Sequence, residues 1–158
     1  MYTPTTIKKV IAYVTNKDEL MVFTHTDFPE AGIQVPAGTV EESEEPSEAV
    51  LRETYEESGV QGVRMIELLG IYQYNMAPER DEIQERYVYH LELTEPTSST
   101  WRHWEMYSST SKHPIAFDFY WLKLDGSDLD LADSQGYFLP KLTQKTKKSG
   151  YSKNHLSQ

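Results

Sequence analysis

Pro46 and Gly59 mark the two ends of a helix. Proline suits the first helical turn, where its missing N–H would have no partner, and glycine suits the position just past the last turn, where φ is positive. At about 100° per residue, Glu53, Glu56 and Glu57 share one arc of that helix with Arg52 and Ala49 beside them. Val50, Leu51, Thr54 and Tyr55 take the opposite side as its expected apolar face. The acidic arc repels itself: Glu53 with Glu57 and Glu53 with Glu56 are like-charge neighbours costing about 0.2–0.5 kcal/mol each, and Arg52 with Glu56 is the compensating pair, in the less favourable orientation. A solvated helix face would carry such a pattern without consequence. A hard dication such as Mg²⁺, held by carboxylate and carbonyl oxygens and water, would instead turn it into a site. Mg²⁺ usually keeps waters and shares phosphate oxygens with a substrate, so the substrate expected is a phosphate ester or anhydride.

Around this helix the chain reads mostly as strands. Ile7 to Thr15 is rich in β-branched residues, Asn16-Lys17-Asp18 supplies a turn, and Glu19 to Thr24 returns, which predicts a hairpin. His25 to Ala31 reads as loop and Gly32 to Pro36 as a short extended piece. After the helix, Val63 to Tyr74 and Glu85 to Leu93 read as strands joined by the charged loop Asn75 to Gln84, the second alternating clearly from Arg86 to Leu91. Glu95 to Lys112 exceeds the usual loop length, which makes it a functional lid or a further element. Ile115 to Leu124 is the last strong strand, and Gln135 to Lys148 a weak helix.

Composition narrows the function classes. A chain of 158 residues is one domain's worth, expected here as a single unit over 1–158 with a lysine-rich, frayed tail from about residue 143. No apolar run is long enough for a membrane span, and no secretory signal is visible at the N-terminus, so the expected compartment is the cytoplasm. The absence of cysteine removes disulfides, thiolate catalysis and cysteine zinc sites, leaving oxygen and histidine as metal donors. A net charge of −10 argues against nucleic acid as a partner, since that binding is driven by lysine and arginine. The lysines after Ser134 are the one local exception.

The spacing Gly38-x5-Glu44-x7-Arg52-Glu53-Thr54-x-Glu56-Glu57-x-Gly59-Val60 resembles the Nudix box at every position but one, Thr54 standing where the pattern has an aliphatic residue. The resemblance extends to the elements flanking the box and fades beyond about Leu93. It implies an α/β fold, the Nudix fold, with a mixed β-sheet sandwiched between α-helices. It also implies Mg²⁺- or Mn²⁺-dependent hydrolysis of the pyrophosphate bond of a nucleoside diphosphate linked to another group, such as ADP-ribose or a nucleoside triphosphate. By that resemblance Glu53, Glu56 and Glu57 would be metal ligands, Gly38 would bring a backbone carbonyl to the metal, Arg52 would orient the carboxylates, and Glu44 would help to hold loop and helix together. The alternative on the same fold is a non-catalytic nucleotide-sensing module. Many relatives are homodimers, and the aromatics from Trp101 to Tyr107 are the only suggestion of a contact surface here.

A further base outside the box is often contributed by a loop in this family. Glu105 is the first candidate, followed by Asp118, Glu79, Asp81 and Glu82. Arg80 and Arg86 are candidates for clamping phosphates, against a reading as ordinary surface residues. Tyr72, Tyr74 and Trp101 could stack on a base, although aromatics at alternating strand positions favour the core. Tyr74 is carried as a candidate substrate contact. His25, His90 and His113 show no spacing that supports a histidine metal site.

Overall fold

The computed structural model describes residues 3–106, 113–126 and 128–148. Strands β1 (Thr5–Asn16) and β2 (Glu19–His25) form the expected hairpin, with Lys17 at φ 59° making the turn. Then follow β3 (Ala37–Thr39), α1 (Pro46–Ser58), β4 (Val63–Asn75), β5 (Glu82–Leu93), β6 (Trp101–Glu105), β7 (Ile115–Lys123) and α2 (Leu139–Lys148). One seven-stranded sheet runs β4-β5-β1-β2-β7-β6, with β3 against β1. The β1–β5 pair is parallel and the others are antiparallel, so the sheet is mixed.

Period-two alternation places the two helices on opposite faces. Val10, Ala12 and Val14 of β1, with Met21 and Phe23 of β2, pack under α1 against Ala49 and Val50. Ile11 and Tyr13 of β1, with Leu20 and Val22 of β2, join Leu142 of α2 on the other face. The sheet is therefore buried on both sides at its centre, which explains the unbroken apolar stretch of β1.

Several expectations change in detail. The connection from Glu95 to Lys112 contains a strand, β6, paired with β7 from Trp101↔Phe119 to Glu105↔Ile115; residues 107–112, and Tyr107 with them, lie outside the described residues. Its alternation is short and half polar, too little for a sequence period to show. The helix expected from Gln135 starts at Leu139, because 135–138 form a turn tied to the sheet by Tyr13, whose hydroxyl donates to the Gln135 carbonyl at 2.5 Å. Residues 143–148, read both as the end of that helix and as the start of a lysine-rich tail, form the end of α2, with Lys145 bonded to Glu67 and His90; the rest of the expected tail, 149–158, lies outside the described residues. Among the described residues no helix is long and apolar enough to cross a membrane.

Candidate metal and catalytic site

α1 starts behind a capping box in which Glu45 and Glu48 bond each other's backbone N–H groups. It ends at Gly59, at φ 76°, whose N–H donates to the Tyr55 carbonyl at 2.7 Å. The buried face matches the expected one in part: Val50 and Thr54 are buried, with Ala49, Glu57 and Ser58, whereas Leu51 and Tyr55 are 39% and 49% exposed. The acidic edge of the helix is turned inward toward β3 and β6, which swings Leu51 and Tyr55 out. The buried polar groups on that edge are satisfied locally. The Thr54 and Ser58 hydroxyls donate to Val50 O and Thr54 O at 2.7 and 2.6 Å, and Glu57 Oε1 accepts from the Ala37 N–H at 2.7 Å. Thr54 thus packs in the place of an aliphatic residue by returning its hydroxyl to its own helix.

The inward edge makes the site. Carboxylate oxygens of Glu53, Glu57 and Glu105 all lie within 4.8 Å of one another. Burial pushes the Glu57 carboxyl well above its ordinary range, and the charges of Glu105 and Glu53 push it further. Glu53 is raised by burial and by Glu56 and Glu105, against Arg52, which draws it down. Glu105 is raised by burial and then by Glu56. Arg52 and Lys9 offset only part of the charge of three acids sharing a half-buried space, and the rest calls for protons or a positive ion. The donors are all oxygen, which suits a hard dication. A β-carbon on Gly38 would fall 2.0 Å from Glu53 Cδ, so that glycine keeps open the space the Glu53 carboxylate occupies. The residues present therefore fit a divalent metal ion, with Glu53, Glu57 and Glu105 as the side chains that would hold it.

Arg52 organises this edge. Its Nε and Nη2 donate to the two oxygens of Glu44 at 2.7 and 2.9 Å, its Nη1 to Glu53 at 2.8 Å and Glu56 at 3.0 Å, and its Nη2 also to Thr39 O at 3.0 Å. The repulsion read along the helix is thus offset by far more than the Arg52–Glu56 pair. Hydrogen bonding from Arg52 holds the Glu44 carboxyl at about 2, and Glu44 also accepts from the Glu41 N–H at 3.0 Å, tying loop to helix. Glu56 is not brought into the cluster: its half-exposed side chain pairs with Arg52, although its charge acts on Glu53 and Glu105.

The other candidates are dispersed. Asp118 accepts from Arg102 at 2.7 Å, Glu82 accepts from Gln84 at 3.0 Å, and Glu79 and Asp81 are exposed. Arg80 is exposed and 3.9 Å from Glu82. Arg86 is buried, donating to Gln84, to the Tyr72 hydroxyl and to Asp133 O, with its Cζ 4.0 Å from the Tyr74 ring centre. Tyr72 is buried and Trp101 is stacked on Phe119, as core aromatics. Lys9 is a site neighbour that the box does not contain. Its Nζ donates to Thr39 Oγ1 at 2.9 Å, and its pKa is lowered by burial against the pull of Glu53. A lysine inside an apolar strand was its only signal in the sequence.

The NUDIX domain family model matches residues 5–142. The chain belongs to the Nudix family, whose box it carries from Gly38 to Val60. Among curated relatives, human diphosphoinositol polyphosphate phosphohydrolase 3-alpha is 37% identical over 98 residues, covering 60% of this chain and 56% of that protein. Rat diphosphoinositol polyphosphate phosphohydrolase 2 is 40% identical over 79 residues, covering 50% and 40%. The chain spans about half the length of the curated relatives it matches. Among solved structures, a C. elegans Ap4A hydrolase superposes with a TM-score of 0.64 at 16% identity, covering 90% of this chain and 98% of that one. A UDP-X diphosphatase gives 0.61 at 18% identity, covering 92% and 66%. At these identities the solved structures bear on the fold alone.

Proposed function

We propose that this chain is a dication-dependent pyrophosphohydrolase that cleaves the anhydride of a nucleoside diphosphate linked to another group, a nucleotide sugar such as ADP-ribose or a nucleoside triphosphate. The observation that carries this reading is the meeting of Glu105 with Glu53 and Glu57 of the Nudix box, oxygen to oxygen within 4.8 Å. Mg²⁺ or Mn²⁺ held there would neutralise charge on the phosphoryl oxygens and lower the cost of activating water. Glu57, anchored by the Ala37 N–H, and Glu53, anchored by Arg52, are the fixed ligands in this reading, and Glu56 joins them by rotation of its half-exposed side chain. Glu105 completes the set with one carboxylate oxygen and serves as the base with the other: its raised affinity for a proton suits accepting one from a water whose oxygen attacks phosphorus as the bond to the bridging oxygen breaks. Arg52 holds the acids, and Lys9 and the exposed Arg80 are the cations from which phosphate contacts are drawn; Arg86, buried and bonded to Gln84, Tyr72 and Asp133, is a structural residue in this reading.

A second substrate class is favoured by the curated relatives, whose names specify diphosphoinositol polyphosphates. Against it stands the net charge of −10, which repels so anionic a ligand. The test is product release from ADP-ribose, nucleoside triphosphates, dinucleoside polyphosphates and a diphosphoinositol polyphosphate with Mg²⁺ and Mn²⁺, comparing wild type with Glu57→Gln. Turnover of one class that collapses in the variant supports the hydrolase and names its substrate. Binding without turnover in wild type would replace it with the sensing module.

A further inference from the structure

We infer that His103, together with Trp101, is a positioning residue that latches β6 onto the last turn of α1 and so sets the Glu105 carboxylate over Glu53 and Glu57. The inference rests on the functional reading above. β6 is a five-residue strand at the edge of the sheet, held laterally, among the described residues, by β7 alone. Glu105 is its final residue. An edge strand so short gives little purchase for holding a carboxylate within a few tenths of an ångström of a working position.

The missing purchase comes from α1. The last four carbonyls of a helix have no partner within it. Here Tyr55 O is taken by the Gly59 N–H, and two others are taken by side chains of β6. Trp101 Nε1 donates to Ser58 O at 2.8 Å, and His103 Nε2 meets Glu56 O at 3.1 Å. A carbonyl only accepts, so His103 carries its proton on Nε2. Residues two apart on a strand face the same way, and 101, 103 and 105 are the less exposed positions of β6, with 102 and 104 outward. The same strand face thus makes a bond to Ser58, a bond to Glu56 and the carboxylate junction with Glu53 and Glu57, in that order.

Gly59 is cut to fit this latch. A β-carbon there would fall 2.8 Å from His103 Nδ1 and 2.9 Å from its Cε1. The glycine that ends α1 therefore meets two demands, a positive φ and a seat for the imidazole. Trp101 is fixed independently by stacking on Phe119, with ring centres 5.2 Å apart.

The test compares His103→Ala, His103→Gln, Glu105→Gln and the double variant His103→Ala/Glu105→Gln. Two readouts are used: the Mn²⁺ concentration giving half the metal-dependent thermal shift, and kcat and KM on the substrate that the panel identifies. His103→Ala is expected to raise the Mn²⁺ midpoint several-fold and to lower kcat about tenfold or more with KM little changed, since misplacing a reacting group by about an ångström costs up to ~10²-fold. Glutamine, which keeps a donor near Nε2, restores most of both. The double variant loses no more than Glu105→Gln alone, because the latch acts through Glu105. Trp101→Phe, which keeps an aromatic ring against Phe119 while removing the N–H together with the pyrrole ring, shifts the midpoint in the same direction and covers the case in which His103→Ala fails to fold. Wild-type values in His103→Ala, failure of rescue by glutamine, or additive losses in the double variant would overturn the latch while leaving the hydrolase standing. If wild type binds Mn²⁺ without turnover, the hydrolase reading falls and the Mn²⁺ midpoint alone decides the latch. Neither turnover nor a Mn²⁺ shift in wild type would sink both.

Discussion

Gly38 and Glu53 share a space too small for one more methyl group: a β-carbon on Gly38 would lie 2.0 Å from Glu53 Cδ and 2.3 and 2.4 Å from its two oxygens. The obstructing atoms are the end of a flexible side chain, which can swing aside. Gly38→Ala is therefore expected to fold with a stability loss of roughly 1 kcal/mol or less, while kcat falls about 10²-fold because the carboxylate is displaced from its neighbours. Urea unfolding beside steady-state kinetics checks this. A large loss of stability with intact turnover would contradict it.

Glu53, Glu57 and Glu105 all have raised pKa values with burial as the first cause. For an acid whose folded pKa is raised, the folded state holds the proton longer, so stability is lost as pH rises through the raised value. Glu105→Gln removes one of these charges. In chelator at pH 7 its melting temperature is expected to rise above wild type, while its stabilisation by Mn²⁺ shrinks. Differential scanning fluorimetry with and without metal reads both arms, and a variant less stable than wild type in chelator would contradict the electrostatic account.

Arg52 spends its guanidinium fork on Glu44, Glu53, Glu56 and the Thr39 carbonyl. Lysine offers a point charge without the planar geometry. Arg52→Lys is expected to lower stability by on the order of 1–3 kcal/mol and to depress kcat more than KM is raised. A chemical denaturation series together with kinetics measures this, and wild-type values for both would show the fork to be dispensable.

His90 sits between Thr15 Oγ1 at 2.8 Å from Nε2 and Lys145 Nζ at 2.6 Å from Nδ1. Lysine can only donate, so Nδ1 accepts and the ring is neutral. Burial first, and Lys145 next, draw the His90 pKa down from 6.5 to about 4, against Glu92 and Glu67. Between those values the unfolded chain takes up a proton that the folded one refuses. This contribution is therefore fully present above about pH 6.5 and is lost as pH falls toward about 4. The urea midpoint is expected to fall between pH 7 and pH 5, with a shallower fall in His90→Gln. Equal slopes would remove His90 from the account.

The ends of α1, the hairpin of β1 and β2, and the spacing from Gly38 to Val60 were legible in the chain, because caps, turns and side-chain periods depend on neighbours a few positions away. Wheel geometry also grouped Glu53 with Glu57. On the expected apolar side it was right for Val50 and Thr54, which are buried, and wrong for Leu51 and Tyr55, which are exposed. That difference depends on what β3 and β6 present to the helix. The same limit applies to Glu105: as one of several acids in loops and edge segments, it is set apart from Asp118 or Glu82 by the lateral order β2-β7-β6, which carries residue 105 across to α1. His103, Trp101 and Lys9 left no mark in the pattern of the box, since each acts through a bond to a residue remote in the chain. Local chemistry wrote the motif, and strand order, a long-range property with no local signature, assembled the carboxylates into one place.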